Sequence, residues 1–115
     1  MPRFVIQKHS QKENIHYDFM LESGDILKTW RIPQSPDNNP QNMEQIQDHR
    51  KLYLEYEGEL SGGRGSVMIW DKGEYSIHAW TDSLIEIELF GIKLNGKFQL
   101  SLTQSKLWLY QKVSI

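Results

Sequence analysis

The sequence predicts an all-β fold, a small closed antiparallel β-barrel of about eight strands with at most one short helix. Short segments with alternating apolar and polar residues recur along most of the chain. Glycine, asparagine and aspartate turn signals separate them at the spacing typical of barrels and sandwiches. Closure is favoured over an open sheet because it removes the unpaired edges that so many strands would present.

Composition limits the size and class of the protein. The chain has 115 residues, of which 38% are hydrophobic and 24% charged, so we expect one globular domain spanning residues 1–115. No apolar run is long enough for a membrane span and no signal peptide is evident, which predicts a cytoplasmic protein without a membrane partner. We also expect a monomer. A net charge of −2 gives no global sign of nucleic-acid binding, and with no cysteine any metal must be held by imidazole, carboxylate or carbonyl groups.

The first third of the chain predicts three strands, at Arg3–Lys8, Ile15–Glu22 and Ile26–Ile32. Ser23-Gly24-Asp25 is a turn signal that joins the last two as a hairpin. Three prolines between residues 33 and 42 then predict an exposed loop.

The middle of the chain is less regular. Asn42 is a suitable N-cap and Met43 and Ile46 fall at helical spacing, so a short helix is predicted at Met43–Gln47. Lys51–Leu60 alternates and predicts an extended segment. The glycine-rich stretch at residues 62–65 lacks the Lys-Ser/Thr and the following helix of a phosphate-binding loop, and we interpret it as a turn.

The second half predicts a run of short strands separated by turns. The turns are expected at residues 72–73, 81–82, 95–96 and 103–105. The strands are Ser66–Asp71, Glu74–Trp80, Leu84–Phe90, Lys97–Leu102 and Lys106–Val113.

Three candidate metal ligands lie within ten residues of one another, at the end of the first predicted strand and inside the second. In an extended strand His16 and Asp18 point to the same face, away from the apolar set that begins with Ile15 and Tyr17. His9 approaches from the neighbouring strand. Each histidine alone is more often a surface or hydrogen-bonded residue, but two imidazoles and a carboxylate side by side are candidate ligands for a divalent metal.

The same segments resemble a known family, and the resemblance covers nearly the whole chain. The chain is similar to the 3′-phosphoesterase module of DNA ligase D, and because no ligase or polymerase portion accompanies it, we expect the stand-alone form. The matching segments are Arg3–His9, His16–Phe19, Leu21-Glu22, Leu27–Pro33, Asp48-His49, Tyr53, Tyr56–Gly58, Val67–Gly73, Leu94–Phe98 and Trp108–Lys112.

The resemblance implies an enzyme that trims 3′ ends of nucleic acids during repair and leaves a 3′-hydroxyl fit for ligation. It implies manganese as the metal, with His9, His16 and Asp18 as ligands, and it places phosphate-contacting catalytic residues at His49 and Tyr53. The implied partners are 3′ ends of DNA or RNA-tailed DNA, with a DNA ligase as a candidate protein partner.

The chain departs from the family motif at Met20, where the family has an arginine that can hold a phosphate. Cations that remain available include Lys28 and Arg31, which we predict to contact phosphate or nucleic acid although they point to opposite faces of their strand. Arg50 and Arg64 are further candidates to replace the missing arginine.

Three functions remain open on the sequence alone. The first is a metal-dependent 3′-phosphoesterase that removes a 3′-phosphate or a terminal 3′-ribonucleotide. The second is a catalytically impaired barrel that binds nucleic-acid ends or a repair partner, as the loss of the arginine at position 20 suggests. The third is an unrelated barrel that binds a small ligand. Metal titration separates the third from the others, and turnover separates the first from the second.

Overall fold

The fold is built almost entirely of β-strands. The computed structural model describes residues 1–113, and within that range it has nine strands and two short 3₁₀ turns. The strands are β1 (Arg3–Gln11), β2 (Asn14–Ser23), β3 (Ile26–Ile32), β4 (Gln41–Arg50), β5 (Gly58–Glu59), β6 (Ser66–Trp80), β7 (Leu84–Gly91), β8 (Asn95–Gln104) and β9 (Leu107–Lys112). The 3₁₀ turns are Lys51–Leu54 and Ser61–Gly63.

The strands form one closed sheet. Their order is β1-β2-β3-β4-β9-β8-β7-β6-β5, every neighbouring pair is antiparallel, and β1 also pairs with β6. The β1–β6 pairing closes an eight-stranded barrel and leaves β5 as a short additional strand. The predicted fold class is therefore confirmed. Within residues 1–113, the structure contains no helix with the length and hydrophobicity that a bilayer crossing requires.

The interior of the barrel is filled by aromatic and aliphatic side chains, and nearly every one of them lies on an alternate position of its strand. Phe19, Trp30 and Tyr110 contact one another or share neighbours at ring-centroid distances near 6 Å. Residues of this core are Phe4, Ile6, Phe19, Leu21, Trp30, Ile32, Met43, Tyr75, Ile85, Ile87, Leu89, Leu94, Phe98, Leu100, Trp108 and Tyr110. Because alternate residues of a strand face opposite ways, the polar residues between them lie on the outer face of the barrel.

The predicted helix at Met43–Gln47 is wrong, because these residues belong to β4. Gln41 to Glu44 pair with Tyr110 to Leu107 of β9, and the same strand pairs with β3 on its other side. Met43 is buried in the core opposite Trp108. Pairing with a strand from the far end of the chain overrides the weak local preference for a helix.

The predicted extended segment at Lys51–Leu60 is also wrong over most of its length. Residues 51–54 form a 3₁₀ turn that buries Leu54, and only Gly58 and Glu59 pair as a strand. Residues 51–65, which include both 3₁₀ turns and β5, cross the outer face of β1. We call them the covering segment.

The predicted turn at Lys72-Gly73 does not form, because β6 runs without interruption from Ser66 to Trp80. Gly73 allows the carbonyl oxygen of Phe90 to approach so closely that an added Cβ would lie 2.1 Å from it. The 95–96 turn is displaced as well, because Asn95 and Gly96 already belong to β8 and the chain reverses at residues 92–94. The buried carboxylate of Asp71 accepts hydrogen bonds from the backbone N–H groups of those three residues at 2.8–3.2 Å, which fixes the reversal.

Candidate metal and phosphate site

Cross-strand pairing brings the candidate site residues together on the outer face of the barrel. One row of directly paired residues crosses five strands, from β1 through β2, β3 and β4 to β9. Its members are Gln7, Asp18, Arg31, Glu44 and Leu107. His9 and His16 form the next pair on the same face of β1 and β2, two positions along from Gln7 and Asp18. Residues that are far apart in the sequence therefore share one continuous polar surface.

The three predicted metal ligands converge. His9 Nδ1 lies 2.9 Å from His16 Nε2, and His16 Nε2 lies 3.6 Å from Asp18 Oδ1. One donor atom from each residue falls within 4.8 Å of the other two. Two donors bound to one cation at about 2.1 Å lie roughly 3 to 3.5 Å apart, so these side chains fit a divalent cation with little movement. A site with two imidazoles and one carboxylate leaves further coordination positions open.

The tautomer of His9 follows from its second nitrogen. His9 Nε2 lies 2.6 Å from the backbone carbonyl oxygen of Arg64. A carbonyl oxygen only accepts hydrogen bonds, so Nε2 carries the proton and Nδ1 presents its lone pair toward His16 and Asp18. Metal-binding histidines are commonly oriented by a carbonyl in this way. Without a cation, the proton on His16 Nε2 completes a hydrogen bond to His9 Nδ1.

The covering segment supplies this carbonyl and is held in place by β1. Gln7 Nε2 donates to the carbonyl oxygens of Tyr53 and Tyr56 at 3.1 and 3.0 Å, and Gln11 Nε2 donates to Gly63 at 3.0 Å. Gln7, His9 and Gln11 alternate along one face of β1, so one strand face both binds the covering segment and presents the first candidate ligand.

Asp18 is a buried carboxylate surrounded by nitrogen groups. Burial by itself raises its pKa, but the hydrogen bond and charge of His16 together with the charges of Arg31 and His49 outweigh that effect and lower the pKa below its ordinary value. Arg31 Nε lies 3.5 Å from Asp18 Oδ1. Asp18 is consequently ionised at neutral pH, the form in which a carboxylate binds a cation.

His49 and Tyr53 form the opposite wall of the site. Their rings meet edge to face with centroids 5.6 Å apart. His49 Nδ1 lies 3.0 Å from the carbonyl oxygen of Gln47, so Nδ1 donates to that oxygen and Nε2 is the nitrogen left for a ligand. Tyr53 lies in the first 3₁₀ turn of the covering segment, and its own backbone carbonyl oxygen accepts the hydrogen bond from Gln7 Nε2.

A cleft of about 570 Å³ lies between these walls. Six of the seven predicted site residues line it, namely His9, His16, Asp18, Arg31, His49 and Tyr53. The seventh, Lys28, lies in a separate cleft beside Trp30 and Trp108, with its ammonium group 3.6 Å from Asp48 Oδ1. The structure therefore does not bring Lys28 to the other six.

The cleft also contains residues that the sequence reasoning missed. Gln7, Gln11, Glu44 and Lys106 line it, and Arg64 contributes both a side chain and the carbonyl that orients His9. The alternation of Gln7 and Gln11 with His9 on β1 was a signal that could have identified the first two. A backbone carbonyl leaves no such signal.

Met20 does not reach the cleft. It is fully buried in a small apolar cluster on the outer face with Val5, Leu27 and Leu54, under the 3₁₀ turn of the covering segment. Three arginines were considered as replacements, and two of them, Arg31 and Arg64, line the cleft. The guanidinium of Arg64 already donates hydrogen bonds to Ser61. Of these three arginines, Arg31 is therefore the one best placed to contact a phosphate in the cleft.

Comparison with known proteins identifies relatives over most of the chain. Residues 7–102 match the family described as the DNA ligase D 3′-phosphoesterase domain. The multifunctional non-homologous end joining DNA repair protein LigD of Mycobacterium tuberculosis is 33% identical over 120 residues, which cover 96% of this chain and 16% of the relative. The LigD protein of Pseudomonas aeruginosa is 32% identical over 114 residues, which cover 85% of this chain and 13% of the relative. The chain thus spans less than a fifth of these relatives.

Proposed function

Because this chain belongs to the DNA ligase D 3′-phosphoesterase family, we propose that it is a metal-dependent hydrolase that trims the 3′ ends of nucleic-acid strands. The reaction we propose removes a 3′-phosphate or a terminal 3′-ribonucleotide from DNA or RNA-tailed DNA. The observation that carries the proposal is the convergence of His9, His16 and Asp18 in a cleft that also holds Arg31 and His49.

The donor set suits a divalent cation, and we propose manganese. Imidazole nitrogens and an ionised carboxylate together accept first-row metals that also bind phosphate oxygens. His9 Nδ1, His16 Nε2 and Asp18 Oδ1 would hold the ion. When bound, such a cation supplies Lewis acidity toward a phosphoryl oxygen.

The residues around these ligands match the other needs of phosphoryl transfer. Catalysis of this reaction depends mainly on positioning and on stabilising charge that spreads over the phosphoryl oxygens. The Arg31 guanidinium donates to those oxygens, and the Tyr53 hydroxyl adds a neutral donor from the opposite wall. In its imidazolium form His49 keeps its Nδ1–H on the carbonyl oxygen of Gln47 and offers Nε2–H as a donor or general acid toward the departing oxygen.

The names of the relatives suggest a setting for this activity. The mycobacterial and pseudomonad relatives are described as multifunctional non-homologous end joining proteins. We propose that this chain likewise acts on strand ends in DNA repair, before a DNA ligase seals them. A 3′-hydroxyl is the product that ligation needs.

Met20 favours a second candidate, a barrel that binds strand ends without hydrolysing them. Position 20 lies in an apolar cluster and contributes no charge to the cleft. If Arg31 does not compensate, the protein would retain the cation and the strand but lose most of its rate. The two candidates predict the same binding and different turnover.

The test is cleavage of a labelled primer–template ending in a 3′-phosphate or a single 3′-ribonucleotide, with and without manganese. We compare the wild type with His16→Ala, and with His78→Ala as the matched control because His78 is an exposed histidine outside the cleft, paired with Glu88. The proposal expects manganese-dependent trimming that His16→Ala abolishes and His78→Ala retains. Manganese binding that depends on His16 without any trimming would favour the second candidate.

A further inference from the structure

A second depression adjoins the cleft beside the start of β2, the end of β3 and the start of β4. It is a groove of about 360 Å³ with mainly apolar walls, and we call it the side groove. Ile15, Pro33, Met43 and Leu107 form its apolar surface. His16, Arg31 and Glu44 line both the side groove and the cleft. The two depressions are therefore continuous, and the candidate phosphate site lies where they meet.

Two of the residues that form the side groove are unusually exposed for their type. Ile15 is 49% exposed and Leu107 is 42% exposed, and they come from different strands, β2 and β9. Single exposed apolar residues are ordinary, but two that line one groove together with Pro33 and Met43 give that groove mainly apolar walls. Such a surface suits the flat face of a ring.

We propose that the side groove binds the base and sugar of the 3′-terminal nucleoside whose phosphodiester lies at the cluster of His9, His16 and Asp18. The inference rests on the proposed function. The row of paired residues leads from Asp18 through Arg31 and Glu44 to Leu107. Three strand spacings of about 4.8 Å separate Asp18 from Leu107, so the side groove lies close to the candidate ligands.

The charges along the row determine which part of the ligand lies beside each residue. Arg31 stands between the two depressions, where its guanidinium can pair with the phosphate and lie against the neighbouring base. Glu44 follows at the border of the side groove. A carboxylate repels a further phosphate but accepts a hydrogen bond from a sugar hydroxyl. The groove consequently favours an uncharged terminal nucleoside over a continuing strand.

The walls also imply little selection between bases. An apolar wall contacts the face of a ring, and every base has such a face. Asn42 is the uncharged polar residue among those lining the groove in the part of the chain that the structure describes. We therefore expect the groove to recognise the presence of a terminal nucleoside more than its identity.

The experiment measures equilibrium binding by fluorescence anisotropy, in chelator so that no turnover occurs. The ligands are two primer–templates, one ending in a 3′-ribonucleoside and one ending in a 3′-phosphate. The variants are Ile15→Ser and Leu107→Ser, and Ile77→Ser is the matched control because Ile77 is 51% exposed on β6 outside the groove. Serine adds no charge, so long-range attraction to the strand is unchanged.

We expect both groove variants to raise the Kd for the ribonucleoside end roughly tenfold, because each removes apolar area that the bound nucleoside would cover. Binding of the 3′-phosphate end, manganese affinity and Tm should stay at the wild-type level. Equal weakening for both ends, or no weakening for either, overturns the inference. So does a change of oligomeric state in Leu107→Ser during sedimentation, since a second copy of the chain would then be the occupant.

These outcomes are separate from those that test the proposed function. If the wild type shows no manganese-dependent trimming but the groove variants weaken binding of the ribonucleoside end alone, the hydrolase proposal fails and the groove assignment holds. If trimming occurs and the groove variants bind both ends as the wild type does, the groove assignment fails and the hydrolase proposal holds.

Discussion

Asp18 and Arg31 are direct cross-strand partners on β2 and β3, and Arg31 Nε lies 3.5 Å from Asp18 Oδ1. The contact is long and uses one of the five N–H donors of the guanidinium. The side chain of Arg31 is also 43% exposed, whereas that of Asp18 is 6% exposed. Asp18 thus holds Arg31 at the cleft while most of its donors remain available to a phosphate.

The first prediction concerns Arg31→Ala. We expect kcat for 3′-end trimming to fall on the order of 100-fold, because one donor to the transition-state oxygens is lost. Manganese affinity should change by less than about threefold, since Arg31 is not a ligand. Arg50→Ala is the control, because Arg50 is an exposed arginine of β4 outside the cleft. A parallel fall in manganese affinity and rate would show instead that Arg31 acts by holding Asp18.

The second prediction concerns Met20→Arg. Because Met20 packs against Val5, Leu27 and Leu54, a guanidinium there should lower the free energy of unfolding by about 2–4 kcal/mol, whereas Met20→Leu should cost less than about 1.5 kcal/mol. In the wild-type background kcat should not rise, because Arg31 already supplies the charge. In the Arg31→Ala background it should rise, because an arginine is longer than methionine and can extend past Tyr53, which packs on this cluster and also lines the cleft. Urea unfolding and single-turnover rates check both parts, and a gain in the wild-type background would contradict the assignment of Arg31.

The third prediction concerns the carbonyl that orients His9. Gly65 adopts φ +90°, and a Cβ added there would lie 2.1 Å from the carbonyl oxygen of Ser10, so Gly65→Ala must displace the end of the covering segment. We expect manganese affinity to fall about tenfold, as when a group that orients a ligand is lost. Gly62→Ala has a similar positive φ but open space, so calorimetric titration should show wild-type affinity.

The fourth prediction concerns pH and Glu22. Its carboxylate accepts hydrogen bonds from the backbone and side chain of Arg3 and lies 2.9 Å from Lys51 Nζ. The hydrogen bond from Arg3 is the main cause that lowers the pKa of Glu22 to about 2 from 4.5. A carboxyl group whose pKa is lowered by folding stabilises the folded state at pH values above its ordinary pKa of 4.5. This stabilisation is lost as the pH falls from 4.5 toward 2.

Glu22→Gln should therefore lower the free energy of unfolding near neutral pH by about 1 kcal/mol, a value reduced by the solvent exposure of Arg3 and Lys51. The difference from wild type should shrink below pH 4.5 and disappear near pH 2. Urea unfolding across that range measures it. Glu13→Gln, which changes an exposed acid in the turn between β1 and β2, is the matched control.

The sequence predicted the parts of the fold where local pattern and tertiary environment agree. The hairpin of β2 and β3 alternates cleanly, and its turn has the expected residues. β4 does not alternate, and Met43 and Ile46 at a spacing of three resemble a helix, but Met43 pairs with Trp108 of β9 and Ile46 pairs with Thr29 of β3. β6 contains a glycine that signals a turn locally but serves a close backbone approach to β7.

The site divides in the same way. Strand periodicity placed His16 and Asp18 on one face and made His9, on the neighbouring strand, a candidate third ligand, and the family resemblance supported the whole set. Lys28 was named with Arg31 because both are cations of one strand, and their opposite faces separate them. The Arg64 contribution is a carbonyl oxygen, which every residue has, so only the path of the covering segment shows its role.

The closure of the barrel has a consequence for the order in which the protein folds. All three candidate ligands lie on adjacent strands joined by the turn at residues 12–13, so they can meet as soon as that hairpin forms. The β1–β6 pairing joins Arg3 to Glu74, and closing such a long loop is slow. Arg64 and the covering segment lie inside that loop. A nascent chain can therefore bring these candidate ligands together early, but the Arg64 carbonyl orients His9 only when β1 pairs with β6.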